Sequence, residues 1–316
     1  MTFEERLDRT LAQLEPKRPF PDNFYRTYRF PTENVSGYLK YFELNNKSLL
    51  TVGSSGAQVI NSFYFGARDI TLLDINENAK DYVWLVIASI LSLTYLEFQK
   101  FFYIHGYDIG EDYYNKKYFD KALFNNKIKD TLRILDYEAY MYYDEIFNNF
   151  DKKRIQDYLM DDDECSPKAI RGFNVYLKNE LNYNRLKNII KKISFKFINV
   201  DIYNANINRK YDNIFLSNLC TLTRINKLKT LVEKLAKENL NINGSILFAY
   251  LFNTNFNENE YESNWQEIYN MEKTKEDFKK YISEYHQIKG RRNFVHNNDE
   301  QDDLILIYRK TKNDLL

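Results

Sequence analysis

Apolar and polar positions along this chain follow two periods, and the change from one to the other marks out its elements. In "SLLTVGSSGAQVINSFYFGARDITLLDIN" (48–76), a short apolar run meets Gly53, two serines and Gly56. An amphipathic stretch then leads through Gly66 to a second apolar run ending at Asp74. The pattern predicts a buried strand over 48–52, a helix over 57–65 stopped by Gly66, and a second strand over 70–73. A long helix is expected from about 78 to 103, with no proline or glycine to interrupt it. Strand, helix, strand, helix in so few residues implies parallel strands joined by right-handed crossovers.

Before this block, residues 1–20 read as an amphipathic helix ending near Pro16, and 21–47 as an aromatic, turn-rich segment. After it, residues 105–192 are polar, tyrosine-rich and helical in pattern, which predicts a helical insertion. The α/β rhythm returns with strands expected over 193–203, 211–219 and 244–252, and a helix over 224–240. The stretch 291–310 reads as two strands around a polar turn. This gives an N-terminal cap over 1–47 and a Rossmann-like α/β domain over 48–316, interrupted at 105–192.

Composition narrows the partners. The 45 lysines and arginines equal the 45 aspartates and glutamates, so no net field draws a polyanion. Nucleic acid is correspondingly disfavoured. The 27 tyrosines read as amphipathic residues at core edges. Cys165 and Cys220 are too few for a disulfide framework or a thiolate zinc site. His105, His286 and His296 lack metal-ligand spacing, so no metal is expected. The first twenty residues lack a signal-peptide core, and the apolar run 83–96 is too short to span a bilayer. A soluble, cytoplasmic protein is the expectation.

In a parallel sheet, ligands sit beyond the carboxyl ends of the strands. Gly53, Ser54, Ser55 and Gly56 follow the first strand there, where backbone can approach a ligand and a helix start can face an anion. Asp74, with Ile75 and Asn76, ends the second strand about twenty residues on, the spacing at which a carboxylate accepts ribose hydroxyls. Asp201 and Ile202 follow the third strand, and Asp201 could meet an adenine amino group. Ser217, Asn218 and Leu219 end the fourth. Taken singly, the glycine loop is equally compatible with architecture, and Asp201 with a turn. As a set they point to nucleoside recognition.

The layout resembles the class I S-adenosylmethionine-dependent methyltransferases. That resemblance implies a mostly parallel seven-stranded sheet with an antiparallel last strand, and S-adenosylmethionine as cofactor. It assigns the glycine loop to the methionine part, Asp74 to the ribose, and the end of strand four to the transferred group. A narrower resemblance is to betaine-lipid-type 3-amino-3-carboxypropyltransferases, carried by Ser54-Ser55-Gly56, Asp74-Ile75-Asn76 and Tyr95-Leu96-Glu97-Phe98. Glu77 departs from that family's proline.

The expected activity is transfer of a methyl or aminocarboxypropyl group to a small-molecule or lipid-like acceptor. Asn218 and Tyr28 are the candidate catalytic residues, and His286 is a further candidate base. Tyr25, Tyr28 and Phe30 could close the site, Lys289, Arg291 and Arg292 could hold an acidic substrate, and 105–192 is the expected acceptor pocket. A non-catalytic nucleotide-binding protein and an NAD-dependent oxidoreductase are the alternatives.

Overall fold

The strand and helix alternation is realised in a computed structural model, which describes residues 1–15, 27–53, 55–102, 104, 120–161, 167–219, 223, 225–250, 276, 278–279, 281–290 and 302–312. Its main elements begin with α1 (Phe3–Leu14), β1 (Ser48–Val52), α2 (Ala57–Tyr64), β2 (Asp69–Asp74), α3 (Asn78–Ser92) and α4 (Tyr95–Phe101). Then follow α5 (Lys129–Leu135), α6 (Tyr137–Asn149), α7 (Glu180–Ile190), β3 (Phe195–Asn199) and β4 (Tyr211–Phe215). The chain continues through α8 (Ile225–Glu238), β5 (Leu240–Tyr250), β6 (Glu284–Ile288) and β7 (Asp303–Arg309). Further short helices, among them Val35–Leu39, Lys152–Leu159 and Pro167–Phe173, and a two-residue pairing of Thr27–Tyr28 with Met160–Asp161 lie between them.

The chain forms two units. One consists of residues 32–52, 61–73 and 194–316 and carries the sheet. Its seven strands run in the order β3-β2-β1-β4-β5-β7-β6. β1 lies parallel to both β2 and β4, and β4 parallel to β5, whereas β7 runs antiparallel to β5 and β6. The expected seven-stranded, mostly parallel sheet with an antiparallel last strand is present. Leu50, Ile214, Leu216, Ile246, Phe248, Leu304 and Leu306 pack with Leu228, Val232 and Leu235 of α8 into its core. The central strands are covered on both faces, which is why they read as continuous apolar runs.

Several boundaries differ from the sequence expectation. β5 begins at Leu240, four residues early, and carries an irregularity opposite Tyr211–Asn213, with Asn243 at φ 65°. Asn243-Gly244 is therefore a bulge within a strand, where its composition suggests a turn. β3 and β4 stop at Asn199 and Phe215, short of the expected 203 and 219. The first strand of the closing pair lies at 284–288, upstream of the expected stretch, whose residues 291–301 are outside the described residues.

The other unit consists of residues 1–31, 53–60 and 74–193. α1 starts on a capping box in which Thr2 and Glu5 satisfy one another's backbone amides. The helix expected over 78–103 breaks at Leu93. Thr94 leaves the helical path and caps α4 through a second box with Glu97. Helix-forming composition persists through the break, but a threonine with glutamate three residues on offers the backbone a new start.

Tyr142, Tyr143, Tyr176 and Tyr183 are fully buried, more deeply than core-edge residues, and the Tyr183 hydroxyl donates to the carbonyls of Ile90 and Leu93. These four tyrosines build this unit's interior.

Candidate functional site

The glycine loop begins where β1 ends. Gly53 takes φ 148° and Gly56 φ 69°, backbone that side chains with a Cβ rarely adopt. A Cβ on Gly53 would fall on the Gln58 side-chain amide, and one on Gly56 would lie 2.6 Å from Val83 Cγ2. Both glycines are thus demanded by local geometry. Between them Ser55 is buried, and its Oγ accepts from the Ala57 amide at 3.3 Å. Ile60 N donates to Gly56 O at 3.0 Å, opening α2 from the loop. The amides of a first helical turn lie outside the intrahelical ladder and face whatever sits before the helix. Ser54 lies outside the described residues.

Strand register brings the second half of the site into line. Val52 pairs with Leu73, so Gly53 and Asp74 are the next residues on adjacent parallel strands. Asp74 is part-buried, and its Oδ1 accepts the Asn76 amide at 2.8 Å. Burial pushes its carboxyl up to about 6, against the pull of the backbone hydrogen bonds from Asn76 and Ile75. Beside it Ile75 is 50% exposed, an apolar face next to an acceptor. Asn76 is buried, and its Oδ1 accepts the Asn78 amide at 3.0 Å, turning the chain into α3. A carboxylate acceptor, a neighbouring exposed apolar side chain and a glycine turn thus follow the ends of two adjacent strands.

The other predicted residues belong to the sheet-bearing unit. Asp201 forms a turn after β3, accepting the Tyr203 amide at 3.0 Å, while Ile202 is buried in the core. At the end of β4, Ser217 holds φ 52° and its hydroxyl donates to the Glu33 carboxylate. Such backbone is uncommon outside glycine and clusters at functional positions. Asn218 is half-buried, its Oδ1 3.5 Å from Ser217 Oγ, and Leu219 packs against the core.

Tyr28 is 42% exposed, whereas Phe30 is buried edge-on to Phe102 at 5.8 Å. His286 stacks on Tyr41 at 4.0 Å on the edge strand β6, so β5 and β7 separate it from β4 in strand order. Lys289 is exposed. Tyr25, His105, His296, Arg291, Arg292, Cys165 and Cys220 lie outside the described residues, and among the described residues no metal-ligating cluster occurs.

Two residues of these clusters escaped the sequence reading. Gln58 is buried against Gly53 and Glu33 is buried against Ser217. Gln58 sits two residues past the loop, a position that could have been read. Glu33 has no local signal, because its partner is 184 residues away.

No family model matches the chain, and no curated protein matches it. Among solved structures, the N-methyltransferase NodS from Bradyrhizobium japonicum, in complex with S-adenosyl-L-homocysteine, shares 11% identity at a TM-score of 0.40, covering 98% of this chain and 99% of that one. An S-adenosylmethionine-dependent methyltransferase from Mesorhizobium loti gives 8% and 0.42, covering 86% of this chain and 94% of its own. Strand order and the antiparallel β7 define the fold.

Proposed function

We propose that this protein is an S-adenosylmethionine-dependent transferase. The observation that carries the reading is the register of Val52 with Leu73, which sets a positive-φ glycine loop and the Asp74 carboxylate side by side on adjacent strands. In this reading Asp74 accepts the ribose hydroxyls, Ile75 packs on the base, and the loop 53–56 lies against the methionine part. Asn76 holds the turn. Asp201 and Ile202 after β3, and Ser217, Asn218 and Leu219 after β4, all in the sheet-bearing unit, are proposed as cofactor-binding residues from their strand-end positions.

When bound, S-adenosylmethionine would supply an activated sulfonium carbon. The chain's part is then to align the acceptor and exclude water. The buried Glu33 carboxylate, which accepts from the Ser217 hydroxyl, is suited to take a proton from an acceptor N–H or O–H, and Asn218, beside Ser217, is the proposed group that orients the acceptor. Residues 105–192 are proposed to select the acceptor, a small or lipid-like molecule. A second reading, aminocarboxypropyl transfer, is favoured by the Asp74-Ile75-Asn76 and Tyr95–Phe98 resemblance.

Calorimetry with S-adenosylhomocysteine and NAD in parallel tests the cofactor, and binding of NAD alone would overturn the proposal. The antiparallel β7 supports the transferase over a nicotinamide enzyme. Cofactor labelled separately on its methyl and its carboxypropyl arm, incubated with cell extract, decides which group moves. Binding without consumption of either label would mark a sensor.

A further inference from the structure

A line of hydrogen bonds runs from the Asp74 turn to the N-terminal helix. Asp74 Oδ1 accepts the Asn76 amide at 2.8 Å, and Asn76 Oδ1 accepts the Asn78 amide at 3.0 Å. Asn78 Oδ1 in turn accepts from Arg6 Nη1 at 3.1 Å. The same guanidinium pairs with Asp81, one turn further along α3, and lies over the rings of Tyr142 and Phe3 at 5.0 and 5.4 Å. Asn76, Asn78, Asp81 and Arg6 are all buried. Burying a guanidinium is costly unless it is paired and hydrogen-bonded, so a surface helix that spends one here is held in a single placement. Its Nη1 donates to the Asn78 amide oxygen and to the Asp81 carboxylate at once, and a lysine nitrogen, one bond nearer the backbone, does not reach the same point.

We infer that Arg6 is a positioning residue for the proposed cofactor site, fixing the Asp74–Asn78 turn so that the Asp74 carboxylate keeps its direction. The inference deepens the cofactor reading and rests on it, and it makes α1 part of the binding apparatus although no residue of α1 is assigned to the ligand.

The test compares Arg6→Gln with Leu14→Ala. Leu14 is fully buried two turns along the same helix, so its truncation loosens α1 while leaving the relay intact. Affinity for S-adenosylhomocysteine is measured by calorimetry, and exchange of the Asn76 and Asn78 amides by deuterium uptake without ligand. Arg6→Gln is expected to weaken binding at least tenfold and to speed exchange at 76–78 at least tenfold. Leu14→Ala is expected to leave both within threefold despite a lower melting temperature.

Binding by Arg6→Gln within twofold of the native protein would overturn the inference, as would equal losses in the two variants. If the native protein binds no S-adenosylhomocysteine, the cofactor reading fails and takes the cofactor role with it. Unchanged exchange in Arg6→Gln defeats the relay alone. Should Arg6→Gln not fold, Arg6→Lys keeps the cation beside Asp81 and should still speed exchange at Asn78.

Discussion

Replacing Asp74 by Asn separates two quantities that the burial of its carboxyl couples. With the group pushed up to about 6, roughly a tenth of it is protonated at pH 7 and about ten elevenths at pH 5. If the ionised form is what accepts ribose hydroxyls, native affinity for S-adenosylhomocysteine is flat above pH 7 and about tenfold weaker at pH 5. Binding near pH 6 releases about half a proton, visible in calorimetry as a dependence on the buffer's ionisation enthalpy. In Asp74→Asn both signals vanish. Losing charge-assisted acceptors costs about 2–3 kcal/mol, roughly 30- to 160-fold in affinity at pH 7.5.

Stability moves the other way. The folded value lies above the unfolded one of about 3.9, so the group's stabilising contribution is present below that value and is lost as pH rises through about 6. At pH 7.5 the ionised carboxylate is a burden on the free protein. The full shift corresponds to about 3 kcal/mol, which partial exposure reduces to about 1–2. Urea denaturation should therefore find Asp74→Asn more stable than native at pH 7.5, with the gain gone at pH 4.5. A variant that binds as tightly as native at pH 7.5, or that keeps the native slope below pH 6, would refute the assignment of Asp74 to the ligand. Asp81 also lies near 6 but remains in the variant, so a surviving slope would point there.

Gly56→Ala should lose about 2 kcal/mol in urea denaturation, since the added Cβ meets Val83 in a backbone region costly to non-glycine residues. Adding Val83→Ala should return only the steric part. Thr94→Ala removes the cap that begins α4 and should cost about 1 kcal/mol, read in the same way. Glu33→Gln should leave S-adenosylhomocysteine affinity within twofold while reducing label transfer to an acceptor at least a hundredfold, and unchanged transfer would remove Glu33 from the chemistry.

What the sequence disclosed follows from how each element is buried. β1 and β2 are buried on both faces and stand out as short, largely apolar runs, and β4 runs into the apolar Ile214, Phe215 and Leu216, so their order in the chain and the residues after them were legible. β6 is an edge strand whose Tyr285 and Gln287 face solvent and whose His286 lies on Tyr41, and "EYHQI" carries no such run. The break at Leu93 was hidden because an apolar residue sits at the C-cap, and only the Thr94–Glu97 pair marks it. At β5 the same rule failed in reverse, when Asn243-Gly244 suggested a strand start and formed a bulge.

Long-range pairing is a different matter from boundary errors. Arg6 reaches Asn78 and Asp81 across 72 and 75 residues, and in sequence it is one of several charges on a polar helix. Its charge does not distinguish it from Arg9, yet Arg6 is buried and Arg9 is not. The periodicity of α1 alone places Arg6 with Thr10 and Leu14, every fourth residue, on the buried face. A charged residue on the apolar stripe of a helix is a demand for a buried partner, because leaving it unpaired there would cost several kcal/mol, on the order of the stability of a whole domain. The partner had to be an acid elsewhere in the chain. Asp81, aligned with Asn78 on one face of the helix that follows the ribose aspartate, meets that demand, which ties the fold's first helix to the chemistry proposed for its second strand.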